Sequence, residues 1–157
     1  MKKLFICFIM FFVLFSGCAS LNDNSPAYVK EVVAYKEGSE GLMIYFILAD
    51  SSGSMTTSDG YVTLTISETH SEWSSLTSEY IDTEITLYSA SFEVKKTNFQ
   101  KAKVGVGAFE HEVILCSLGR IDYSSFRKRP SEISGKVKIE FQTHNALRYK
   151  GEDTIFF

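Results

Sequence analysis

From Tyr61 to Ser67 apolar and polar side chains alternate without a break, with Val62, Leu64 and Ile66 on one side and Tyr61, Thr63, Thr65 and Ser67 on the other. Successive side chains of an extended strand point to opposite faces, so this period of two, rich in β-branched residues, marks a strand with one buried face. The signature returns at Lys136 to Gln142, with Val137, Ile139 and Phe141 inward. Leu42 to Ala49 is a continuous apolar run that suits a strand buried on both faces. Tyr28 to Tyr35 is rich in valine and tyrosine. In Ile85 to Val94 the phase breaks: Leu87 belongs to one face and Tyr88, Phe92 and Val94 to the other, which predicts a β-bulge. Phe109 to Leu118, continued or followed by Ile121 to Tyr123, and Tyr149 to Phe157 complete the strands.

Gly38 to Gly41 and Thr143 to Leu147 read as turns, and Asp50 to Gly60 and the basic stretch Lys95 to Lys103 as loops. His70 to Tyr80 is polar apart from Trp73 and Leu76, and reads as a long connection that packs one aromatic onto the body. No stretch carries the period of a long helix. About seven short strands with turn signals at intervals of about ten residues predict an all-β antiparallel sandwich over residues 28–157. Neither proline lies inside an expected strand. The segments after Gly60 and Gly135 resemble strands of immunoglobulin-like or fibronectin III-like domains, without the Cys…Trp…Cys core of true immunoglobulin domains.

The chain begins with a different pattern. Lys2 and Lys3 precede the apolar run Leu4 to Phe15, which ends at Ser16-Gly17-Cys18. The run is too short for a spanning helix, which needs about 20 apolar residues, and fits an export signal. A cysteine directly after Ser-Gly resembles the lipobox of prokaryotic membrane lipoproteins. That resemblance implies that residues 1–17 are a removed signal peptide and that the Cys18 sulfur receives a diacylglyceryl group, with further acylation of the new amino terminus by palmitate or a similar chain. Two or more acyl chains hold stably where one holds weakly. The expected location is therefore the cell membrane or outer membrane, with the domain on the extracytoplasmic side. Alanine at position 19 favours the outer membrane in two-membrane bacteria. Residues 18–27 form a polar tether interrupted by Pro26, with a reach of roughly 15–18 Å.

Without Lys2 and Lys3 the chain carries 14 basic against 19 acidic residues, a net charge of −5 with histidine neutral. An acidic exported domain is poorly suited to nucleic acid. Its one basic cluster, Arg127-Lys128-Arg129, reads as a solvated loop, the sharper alternative being attraction to anionic headgroups beside the anchor. With Cys7 in the signal and Cys18 lipidated, only Cys116 remains, so no internal disulfide is available. Its apolar neighbours mark it as a small buried hydrophobe.

Asp50-Ser51-Ser52-Gly53-Ser54 follows an apolar strand and looks like the Asp-x-Ser-x-Ser metal site of von Willebrand factor A domains. In that family Asp50, Ser52 and Ser54 would help hold a divalent cation for adhesion. Against this, the family needs a helix straight after the loop, and the sequence offers Asp59-Gly60 and a strand. The favoured reading is a connection between sandwich strands. His70, His111 and His144 lack ligand spacing. Val104-Gly105-Val106-Gly107 lacks the following helix of a phosphate loop. No catalytic constellation and no cofactor motif emerges. The expectation is a non-enzymatic, lipid-anchored binding or structural protein. Its partner would be an envelope protein or a glycan, met by loops or by an aromatic sheet face.

Overall fold

The computed structural model describes residues 25–104 and 110–157. Cys18, the signal segment before it, most of the tether, and the stretch from Gly105 to Phe109 lie outside the described residues. Among the described residues nine strands form: β1 (Tyr28–Lys36), β2 (Gly41–Ala49), β3 (Met55–Thr56), β4 (Gly60–Ser74), β5 (Glu79–Val94), β6 (Phe99–Val104), β7 (His111–Asp122), β8 (Ser134–Thr143) and β9 (Arg148–Phe156). They make two antiparallel sheets, one in the order β1-β2-β7-β6 with β3 beside the end of β2, the other in the order β5-β4-β8-β9. The expected all-β body with two antiparallel sheets is therefore present.

The alternation read at Val62, Leu64 and Ile66, and at Val137, Ile139 and Phe141, supplies one inner face, and all six side chains are buried. Leu42, Ile44, Phe46 and Leu48 of β2 supply the other. Phe46 lies between the sheets, edge-on to Phe99 at 5.6 Å and tilted against Phe141 at 6.0 Å. Each such buried side chain contributes roughly 1.5–3 kcal/mol of transfer free energy. The outer face of β2 is less covered than the continuous apolar run implies: Ile47 and Ala49 are buried, but Met43 and Tyr45 stay half-exposed. One side of the sandwich is drawn tight. Ala34 N–H donates to Asp153 Oδ2 at 3.0 Å, and a Cβ on Gly151 of β9 would sit 2.6 Å from Val29 Cγ1 and 2.9 Å from Val32 Cγ2 of β1.

The predicted bulge is there. Ile66 pairs with Tyr88 and Ser67 with Thr86, so Leu87 is the extra residue and its side chain is fully buried. Two loop expectations are corrected. Lys95 to Lys103 is mostly strand: β6 pairs with β7 along its whole length as an edge whose lysines guard against strand addition. His70 to Tyr80 is no long connection, because β4 and β5 stay paired through Trp73↔Tyr80 and Ser74↔Glu79. Apolar patterning misses such a segment because cross-strand backbone bonds form whether or not a face is buried. Trp73 does not pack onto the body; it is 58% exposed.

The sandwich has two distinct ends. At the near end the first described residues meet the end of β2, with Ala27 N–H donating to the Ala49 carbonyl, and Asp59 before β4 accepts from Lys96 N–H. At the far end lie the β1–β2 turn, the segment from Tyr123 to Ile133, and the β4–β5 hairpin.

Candidate functional site

The far end is built around one buried carboxylate. Glu68 continues the inward series Val62, Leu64, Ile66, and is fully buried. It accepts hydrogen bonds from Ser131 N–H (2.7 Å), Ser131 Oγ (2.9 Å) and Glu132 N–H (3.2 Å), and an ion pair from Lys128. Burial would raise its pKa, but the Lys128 ammonium and the Ser131 and Glu132 donors outweigh it and hold the carboxyl at about 2. Glu68 thereby fixes the segment carrying the basic cluster. Lys128 is consumed in that bond, and Arg127 N–H donates to the Leu87 carbonyl. The cluster sits at the far end, opposite the end where Ala27 meets β2.

Beneath this segment Tyr88, Tyr123, Phe126 and Phe157 pack ring against ring at 5.2–6.3 Å. Tyr123, Phe126 and Phe157, with Ile133, Arg129 and Glu132, line a groove of about 560 Å³. Above it the β4–β5 hairpin leaves the body. Pairing of β4 with β8 stops at Glu68↔Gly135, while pairing with β5 runs on to Ser74. Six further residues of strand project roughly 20 Å. Every residue from Glu79 to Glu84 is exposed, so both faces of this arm meet solvent.

A two-stranded ribbon alone is marginal in water, and local bonds hold this one. Trp73 and Tyr80, opposite each other, meet edge to face at 5.2 Å and 68°. Ser71 Oγ donates to Asp82 Oδ1 at 2.5 Å, and Lys138 pairs with Glu84 at the base. His70 ties the arm to the far-end segment, its Nδ1 2.7 Å from Glu132 Oε1 and its Nε2 3.2 Å from Glu72 Oε1. The hydrogen bond to Glu132 raises the His70 pKa, and the Glu72 bond adds to it.

The Asp50 motif folds as strand, turn, strand. The Asp50 carbonyl accepts from Gly53 N–H, and its N–H donates to the Ser54 carbonyl. Asp50 Oδ1 accepts from Ser52 Oγ at 2.6 Å, Ser52 N–H at 2.8 Å and Ser54 N–H at 3.1 Å. These bonds, the Ser52 hydroxyl first, lower the Asp50 pKa. The side chain completes its own turn, as short polar residues do. β3 and then β4 follow where the adhesion family needs a helix, so the favoured connection between strands holds and the alternative of a von Willebrand factor A-like site does not. Among the described residues no group of three or more His, Cys, Asp and Glu side chains could hold a metal ion. His70, His111 and His144 are not brought together.

The Cys116 thiol, 1% exposed, is pushed up to about 11 by burial. The two most perturbed groups, Glu68 and Cys116, thus both have structural explanations. Sequence reasoning missed Glu68 and the arm. No protein-family model matches the chain, and neither does any curated protein or solved structure.

Proposed function

We propose that the chain is a lipid-anchored protein of the cell envelope, held by acylation of Cys18, that works by binding through the far end of an immunoglobulin-like sandwich. The strand orders support the fold assignment. β1-β2-β7-β6 and β5-β4-β8-β9 follow the ABED and C′CFG orders of immunoglobulin-type sheets. The observation that carries the functional reading is the polarity of the body. The residues that lead back to the tether meet the near end, while the aromatic-tipped arm and the lined groove occupy the far end. A domain anchored through residues 18–27 would present its binding elements away from the bilayer.

Metabolic labelling with radioactive palmitate tests the anchor. Wild-type protein should take up label and run as the shorter processed form; Cys18→Ala should stay unlabelled and full length. Normal processing of that variant would defeat the proposal.

A further inference from the structure

We propose that the β4–β5 arm is a docking element for a protein partner whose surface offers an apolar socket rimmed by lysine and arginine. The proposal rests on the envelope reading only for where that partner is met. At the tip Trp73 is 58% exposed, Tyr80 70%, Ile81 50% and Leu76 96%. Tryptophan and tyrosine are the side chains that most often dominate interface energy, and apolar side chains gathered on one projecting tip mark an interaction site. Two strands of solvated ribbon cost backbone entropy with no core burial in return, so nothing in the stability of the sandwich accounts for the arm.

Charge defines the partner. Between Thr69 and Ile85 stand Glu72, Glu79, Asp82 and Glu84, with no lysine or arginine. Lys138 matches Glu84 at the base, His70 bonds Glu72 and the Ser71 hydroxyl bonds Asp82, but among the described residues no lysine or arginine pairs with Glu72, Glu79 or Asp82. A cationic rim around the socket would answer the other three and speed encounter. The same sign disfavours an anionic membrane leaflet and nucleic acid. A neutral or acidic glycan offers no cation to answer these carboxylates.

The test places a photo-crosslinking amino acid at position 76 of the full-length chain, in its native envelope, with the same group at position 91 on the outer sheet face as control. The expected result is a discrete protein adduct from position 76 alone. Trp73→Ala, and separately the pair Glu72→Lys with Asp82→Lys, should each lower its yield about tenfold, equivalent to about 1.4 kcal/mol of docking energy. The peptide crosslinked on the partner should carry lysine or arginine. Unchanged thermal melting of these variants shows that the body still folds. An adduct indifferent to them, an adduct only with lipid or glycan, or none above the position 91 control overturns the proposal. Cys18 processing is read on the same gels. Processed protein with no arm-dependent adduct removes docking alone; unprocessed protein that still gives the adduct removes anchoring alone.

Discussion

Ser131 grips both oxygens of Glu68: its backbone N–H donates to Oε2 at 2.7 Å and its hydroxyl to Oε1 at 2.9 Å. The contact spans more than sixty residues of chain and joins the root of the arm to the segment that lines the groove. It is strongest while the carboxylate is charged. The carboxyl falls from 4.5 to about 2 on folding. A depressed folded pKa contributes stability that is fully present above the unfolded value and lost as pH falls through the folded one. We expect about 3 kcal/mol of stability, present at neutral pH, to fade between about pH 4.5 and 2. Urea unfolding across that window measures it. Glu68→Gln should cost about 1–3 kcal/mol at neutral pH and flatten the acid limb; an unchanged limb would assign the acid sensitivity to other groups.

Asp50→Ala should weaken the protein through its turn. It removes the acceptor for three donors from Ser52 and Ser54, at a cost of about 1–2 kcal/mol. Calorimetry with Mg²⁺ should give no binding heat for wild type or variant. Saturable heat from wild type that vanishes in the variant would restore the cation reading.

Much of this architecture was legible because burial writes itself into the period of a strand. β4 and β8 follow from Val62, Leu64, Ile66 and from Val137, Ile139, Phe141, and the bulge follows from the phase break at Leu87. Glu68 was within reach of the same argument: it occupies the next inward position after Ile66, where a carboxylate demands partners. Its partners, more than sixty residues away, were not. The arm left no periodic trace because neither face is buried; Thr69 to Ser74 and Glu79 to Glu84 pair through backbone bonds that any polar residues permit. The loop expected at Lys95 to Lys103 hid β6 for a related reason, since an edge strand tolerates lysines that a central strand would exclude.

Gly151→Ala should loosen the tight side of the sandwich. The added methyl would press on Val29 and Val32, forcing β9 away from β1 at a cost of about 1–3 kcal/mol. Because the obstacle is made of side chains, Val29→Ala should relieve part of that cost when combined with Gly151→Ala. Denaturant midpoints of the two singles and the double give the coupling; strict additivity would mean that the methyl is absorbed elsewhere.

Cys116 should be silent in the folded protein. The thiol lies in the core among side chains of both sheets, and its pKa of about 11 leaves roughly one molecule in a thousand as thiolate near pH 8. Burial adds a second barrier, because a reagent must wait for the sheets to open. Alkylation of the native protein should therefore proceed at the rate of unfolding and become complete in urea. The stoichiometry carries further information. Mature protein acylated on Cys18 should yield a single titratable thiol in denaturant, and Cys116→Ala should yield none. A thiol remaining in that variant would be an unacylated Cys18 or an unremoved Cys7, and partial proteolysis followed by mass analysis of the alkylated peptides would say which.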